Sequence, residues 1–175
     1  MNRFIPSVLA LLFLVSCNSS NKNLAVNDGG DAEQQKTYKI QKTEKEWKEL
    51  LTAEEFDVLR KAGTERPFTS PLNEEKSPGT LICAACYAPV YNNANKFKSG
   101  TGWPSYDQAI NGQVERDTDY KIGYARTELK CNTCGSHLGH EFDDGPRETT
   151  GKRHCINGVA LDFVAEGEDL PELRK

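Results

Sequence analysis

Hydrophobic positions along this chain keep three rhythms in succession. Phe4 to Val15 is an almost unbroken apolar run, interrupted by Pro6 and Ser7, after a short positive start at Met1-Asn2-Arg3. Residues 18–36 carry no hydrophobic period and include Gly29-Gly30. Such a segment cannot bury enough surface to offset its ordering entropy, and it predicts a flexible tether. Helical spacing begins at Trp47, Leu50 and Leu51 and resumes at Phe56 and Leu59. Each set follows a capping box, Thr43-Glu44-Lys45-Glu46 and Thr52-Ala53-Glu54-Glu55, and Gly63 is a natural stop. The pattern predicts short helices over 43–50 and 52–62, with Trp47 and Phe56 as core residues.

After Gly63 the rhythm shortens. Arg66-Pro67-Phe68, Ser70-Pro71 and Ser77-Pro78-Gly79 punctuate a loop. Short pieces follow, with candidate strands at 80–83, 88–91, 96–98, 113–116, 121–130, 137–142 and 153–163. Tyr120 to Arg126 partly alternates, as a half-buried strand would. The prediction is a mainly antiparallel β domain with helices at its start, spanning 37–166, with a C-terminal tail at 167–175.

The opening apolar run is shorter than the about 20 residues that span a bilayer, and it has the flanks of a signal-peptide core. Leu14-Val15-Ser16-Cys17 resembles a bacterial lipobox. That resemblance implies removal of residues 1–16 and lipid on Cys17, so that 17–36 becomes a lipidated tether. Several acyl chains anchor stably where one does not. The expected location is the bacterial cell envelope, with a membrane anchor at the outer membrane because Asn18, not an aspartate, follows Cys17. The net charge of -4 argues against a nucleic-acid partner, which needs a basic face.

The six cysteines divide by context. Cys17 belongs to the export signal. Cys83-Ala-Ala-Cys86 and Cys131-Asn-Thr-Cys134 are two C-x-x-C units separated by 44 residues. Two such turns suit one tetrahedral Zn²⁺ held by four thiolates, and Gly135 helps the second close. Disulfides compete in an exported protein. A structural zinc site contributes on the order of 10–16 kcal/mol against about 2–4 for one disulfide, which favours zinc. The four-thiolate shell is closed, so the metal, one per chain, is structural. Cys155 stands alone in Arg153-His154-Cys155-Ile156-Asn157, and His137, His140 and His154 are the only three histidines. A leftover cysteine with histidines near it is a candidate nucleophile. The bland alternative is a small buried hydrophobe.

Lys98 to Ser105 is a loop that sets Trp103 between Gly102 and Pro104. With it the ordered set of motifs closely resembles the B-type methionine-R-sulfoxide reductases. The matching pieces are Gly63-Thr64-Glu65-Arg66-Pro67-Phe68, both C-x-x-C units, Ser99 to Ser105, His137-Leu138-Gly139-His140, Asp144-Gly145-Pro146 and Arg153 to Asn157. The resemblance implies two antiparallel β-sheets with short helices and a zinc-bearing four-cysteine subdomain. It implies catalytic Cys155, His140 and His137, with Asn157 orienting the site and Trp103 receiving the substrate methyl. The Cys155 thiolate would attack the sulfoxide sulfur of methionine R-sulfoxide, in oxidised proteins or free, and be left as sulfenic acid. Attack calls for a lowered Cys155 pKa, with Arg153 and the histidines supplying positive charge.

Three departures stand out. Thr101 occupies the place where many members carry a resolving cysteine, so a thioredoxin-like or other external thiol must reduce Cys155. His154 replaces a common tyrosine and Gly158 a common serine. The expected enzyme is a monomeric lipoprotein for protein repair under oxidative stress. The alternatives are a membrane-tethered, zinc-stabilised interaction module with inert Cys155, or a disulfide-stapled redox protein that works through one C-x-x-C pair.

Overall fold

Both predicted helices begin where their capping boxes put them. In the computed structural model, which describes Met1 and residues 36–175, α1 spans Glu44–Leu50 and α2 Ala53–Lys61. The signal segment, Cys17 and all of the tether but Lys36 lie outside the described residues. Each threonine cap accepts from the backbone N–H three residues on, and the glutamate there accepts from the threonine N–H at 2.7 Å. These reciprocal bonds satisfy orphan donors of the first turn. Trp47 and Phe56 are buried as expected, and the Arg60 guanidinium lies over the Trp47 ring at 4.8 Å. Ala62, at φ 51°, makes the left-handed cap of α2, one residue before the predicted stop. Gly63 serves close approach instead: a Cβ there would stand 2.4 Å from Asp57 Oδ2.

The rest is β structure in two antiparallel sheets. The smaller has the order β2-β1-β9, from Pro89–Asn92, Gly79–Cys83 and Leu161–Ala165. The larger has the order β3-β4-β8-β7-β6-β5. Its strands are Lys96–Phe97, Ser105–Tyr106, Arg153–Ile156, His137–Phe142, Arg126–Cys131 and Val114–Asp119, taken across the sheet. Leu81, Val90, Tyr91, Tyr106, Leu129, Leu138 and Ile156 are fully buried and join the helices in one core. Among the described residues no helix is long and apolar enough to cross a membrane.

Two strand predictions need correction. The segment 121–130 is a strand only from Arg126, because the β5–β6 ladder ends at the pair Asp119↔Arg126. Beyond that pair the residues have no partner strand. Tyr120, Ile122 and Tyr124 therefore project into solvent on a turn closed by the Gly123 N–H donating to Tyr120 O at 2.9 Å. The alternation there is real but pairs with nothing. The predicted 153–163 strand is split by a 3-10 turn at Gly158–Ala160, which carries the chain from the large sheet to the small one. The last nine residues lack regular structure, yet the Arg174 N–H donates to Cys86 O at 3.1 Å and Leu173 packs on the core.

Cys83, Cys86, Cys131 and Cys134 converge with their sulfurs within 4.8 Å of one another, all buried. The closest approaches run between the two units, 3.9 Å for Cys83–Cys134 and 3.7 Å for Cys86–Cys131. A tetrahedron of thiolates at about 2.3 Å from a metal has edges of about 3.8 Å, whereas a disulfide needs about 2.05 Å. The two turns match: Tyr87 N–H donates to Cys83 O and Gly135 N–H to Cys131 O, and each following residue is left-handed, Tyr87 at φ 64° and Gly135 at φ 71°. A tyrosine tolerates this because Arg174 lies on its ring at 4.1 Å and bonds its hydroxyl. Hydrogen bonding with Cys131 and then the other thiols pulls Cys134 far down, while the same crowding pushes Cys83 and Cys86 up. A cation lets every sulfur ionise, so the donor set fits one structural metal ion.

Removing that metal should cost several kcal/mol. Chelation, or Cys134→Ser, is expected to lower the thermal midpoint by at least about 10 °C. An unchanged midpoint in a metal-free protein would rule out a structural ion.

Candidate active site

The site is assembled on adjacent strands of the large sheet. In β8, Arg153 and Cys155 point to one face, His154 and Ile156 to the other. Register places Cys155 opposite Ser105 of β4 on one side and opposite His140 of β7 on the other. Gly139 allows the close pairing, since a Cβ there would meet Cys155 O at 2.0 Å. Cys155 opens into a cleft lined by Thr64, Trp103, Arg126, His140, Phe142 and Asn157, besides Gly139. The cleft holds about 140 Å³, below the about 300–1,000 Å³ of drug-sized ligand pockets. It suits a single side chain better than a large cofactor.

Cys155, His140, Trp103 and Asn157 therefore line one cleft. His137 does not reach the cleft wall. It is buried behind His140, ring centroids 5.1 Å apart, with Nδ1–H donating to Glu128 Oε1 at 2.6 Å. His140 Nε2–H donates to Asp119 Oδ2 at 2.8 Å, and Asp119 also pairs with Arg126. This fixes the tautomer and leaves Nδ1 as the free ring nitrogen. Burial pushes the His140 pKa down more than Asp119 restores it, so the ring is neutral at pH 7. The Asp119 carboxyl is held well below the usual range by the Lys121 N–H, then by His140 and Arg126.

The expected lowered pKa of Cys155 is not what the structure gives. Burial pushes the thiol up, and this outweighs the lowering influence of the Arg153 charge and of the Thr101 hydroxyl. Arg153 is largely committed elsewhere. Its Nε and Nη2 donate to Asp144 at 2.8 and 3.0 Å, and its guanidinium stacks on Phe142 at 4.5 Å. The neutral His140 supplies no positive charge.

Glu65 organises the back of the cleft, a role no sequence signal assigned beyond its place in Gly63–Phe68. Its carbonyl accepts from Trp103 Nε1–H at 3.2 Å, and its N–H donates to Asn157 Oδ1 at 3.0 Å. Its carboxylate accepts from the N–H groups of Gly158 and Val159 at 2.7 and 2.9 Å. Asn157 Nδ2–H in turn donates to Leu138 O at 3.0 Å, so both ends of that amide hold backbone. Asp119, Arg126 and Phe142 also escaped the sequence reading, because what brings them to His140 and Arg153 is strand register.

Thus a mainly β fold with a four-cysteine metal cluster carries a separate small cleft that holds a single cysteine. The chain belongs to the SelR domain family, whose model matches residues 51–165. It is 47% identical over 132 residues to a peptide methionine sulfoxide reductase MsrB of Leifsonia xyli, covering 75% of this chain and 95% of that protein. A protein of the same name from Methanosarcina barkeri is 48% identical over 132 residues, 74% and 91% of the two chains. Another from Leptospira interrogans is 45% identical over 130 residues, 74% and 98%.

Cys155 in the substrate-free protein should keep its proton at neutral pH. Alkylation by iodoacetamide, mapped to Cys155 by mass, is expected to accelerate as pH rises through about 9 and above, since the thiolate is the reacting form. A rate already at its plateau by pH 7 would contradict the burial argument.

Proposed function

We propose that the chain reduces methionine R-sulfoxide by attack of Cys155 sulfur on the sulfoxide sulfur, with oxygen passing to Cys155. The observation that carries the reading is the convergence of a half-buried, unclustered cysteine, a neutral histidine and an indole on one small cleft. The family supports it, as a peptide-methionine (R)-S-oxide reductase. The substrate methyl rests against Trp103, an apolar and π-rich seat for a sulfur gaining positive character. His140 Nδ1 takes the thiol proton as the S–S bond forms and returns it to the sulfoxide oxygen as the S–O bond weakens. Thiol and sulfoxide become sulfenic acid and thioether, with no net proton or external electron required. A neutral His140 fits this, since it must first accept. His137 and Asn157 hold His140 and the β8 end in position.

The other four described cysteines belong to the metal cluster and Thr101 stands beside Cys155. The sulfenic acid is therefore reduced by an external thiol of thioredoxin type, giving water and regenerating the thiol. We assign the structural ion as Zn²⁺, held by Cys83, Cys86, Cys131 and Cys134, which ties the two sheets without touching the reaction. Residues 1–16 act as a signal peptide, and Cys17 carries lipid that tethers a monomeric domain from residue 37 onward to the outer membrane of a bacterial envelope.

With dithiothreitol, purified protein should reduce the R epimer of methionine sulfoxide and leave the S epimer. Cys155→Ser should fall to background, at least about a thousandfold, with about one zinc per chain retained. His140→Gln should lose about 10²–10⁴-fold. An untouched R epimer, as from an inert tethered module, would end this reading. Expressed at full length, Cys17→Ser should move the protein from the membrane to the soluble fraction on detergent-free fractionation; an unchanged partition would refute the lipid anchor.

A further inference from the structure

Arg126 uses only part of its guanidinium. Its Nη2 donates to Asp119 Oδ2, the same oxygen that accepts from His140 Nε2–H at 2.8 Å. The other oxygen of that carboxylate is already taken, because Asp119 Oδ1 accepts from the Lys121 N–H at 2.6 Å. Arg126 Nε is left buried, with no hydrogen-bond partner among the described residues. Arg153 shows the alternative. There Nε and Nη2 both close on Asp144, at 2.8 and 3.0 Å, and the fork is full.

A buried donor without a partner is costly, and one that persists in a folded protein calls for a ligand, a water or strain to account for it. Position favours a ligand. Of the buried side-chain polar atoms that lack a partner among the described residues, only Arg126 Nε belongs to a residue lining the Cys155 cleft. The shared carboxylate oxygen sets this guanidinium next to the His140 ring. The Arg126 side chain keeps 18% of its surface, which leaves it room to turn toward a bound group. A guanidinium gives hydrogens and takes none, so that group must be an acceptor. In a cleft of about 140 Å³ it must also be small. A thioether sulfur accepts only weakly, whereas a sulfoxide oxygen is a strong acceptor with lone pairs for two partners.

We propose that Arg126 is a further catalytic residue, whose free Nε–H binds the sulfoxide oxygen of the substrate and stays on it as that oxygen passes to Cys155. The proposal rests on Cys155 being the nucleophile that attacks a methionine sulfoxide. One lone pair of the oxygen meets Arg126 while another takes the proton that His140 returns. Negative charge collects on the oxygen as its bond to the substrate sulfur weakens, and a cationic donor already in place stabilises it there. No atom leaves the guanidinium. The oxygen ends on Cys155 as sulfenic acid, the thiol proton ends on that oxygen, and the substrate leaves as thioether.

The test measures oxygen binding apart from turnover. In Cys155→Ser protein, a short peptide holding methionine R-sulfoxide should bind about tenfold more tightly than the same peptide holding methionine, the scale of one hydrogen bond from a charged donor. Adding Arg126→Lys keeps the charge and a partner for Asp119 but not a fixed second N–H, and should bring the two affinities within about twofold. With Cys155 intact, Arg126→Lys should lower kcat/KM for the R epimer about a hundredfold, as loss of one donor to a developing oxyanion does. Arg126→Met should repeat both results, and it decides the outcome if the lysine variant does not fold. Unaltered metal content and thermal midpoint identify folded variants. Equal affinity for the two peptides in Cys155→Ser protein, or activity within about threefold after Arg126→Lys, overturns the proposal. So does activity lost while the sulfoxide preference survives, since Arg126 then acts only through Asp119. An unsubstituted protein that leaves the R epimer untouched would instead overturn the nucleophile assignment, a separate result from these ratios.

Discussion

The four-sulfur cluster is the constraint on which the site depends. One C-x-x-C turn ends β1 of the small sheet, and the other joins β6 to β7 of the large one. A single ion therefore fastens the two sheets at their junction. The second turn leads directly into β7, which presents His140, and is held from behind by Arg60 donating to Cys134 O at 3.2 Å and to Ser136 Oγ at 3.0 Å. The first turn is bonded to the chain just after β8, through Ala84 N–H donating to Ala160 O at 3.0 Å. Cys155 and His140 are neighbours across one ladder, and each strand is anchored from the same cluster. That arrangement positions the chemistry while keeping the cation's charge in its own buried thiolate shell.

Because the cluster keeps its charge to itself, the resting cleft is close to neutral. Cys155 is a thiol, His140 an uncharged imidazole, and the nearby Arg153 and Arg126 are matched by Asp144 and Asp119. Burial decides the Cys155 state over the arginine because desolvating a thiolate costs more than a guanidinium shared with a carboxylate returns. A sulfoxide is itself neutral but strongly dipolar. Its oxygen is a proton acceptor and its sulfur an electrophile, so it complements a cleft that holds a thiol and a neutral imidazole. A thiol also resists peroxide far better than a thiolate, which suits a cysteine whose substrate is made by oxidants.

Much of this was legible in sequence because it is local. Capping boxes, the paired C-x-x-C units and the Gly135 turn act within a few residues, and Cys155 stood out by elimination. What sequence hid is mostly carried by backbone or register. Glu65 works through its own N–H and C=O as much as its carboxylate, and no residue type announces that. Asp119 reaches His140 across 21 residues because the β5–β6–β7 register aligns them. The Tyr120–Tyr124 alternation misled because period alone does not reveal whether a partner strand continues. The sign of the Cys155 shift was missed because adjacency to Arg153 in sequence says nothing of Asp144 or of burial.

The three departures from the commoner family pattern divide by face. His154 lies on the side of β8 opposite Cys155, buried, its Nδ1 3.1 Å from Tyr91 Oη and its ring edge-on to Tyr91. Its Nε2 faces Glu141 at 3.0 Å without hydrogen-bond alignment, and burial keeps the ring neutral. It is a core residue that replaces one polar aromatic with another. Gly158 sits where an added Cβ would stand 1.8 Å from Ser70 Oγ. Ser70 is nearly buried and accepts from Leu72 N–H at 3.1 Å, so a side chain from a neighbouring loop fills the space a serine at 158 would take. Both changes are absorbed by packing away from the sulfur. Thr101 alone among them lies on the loop that carries Trp103 to the cleft, so it is the one departure placed at the site and not in the packing behind it.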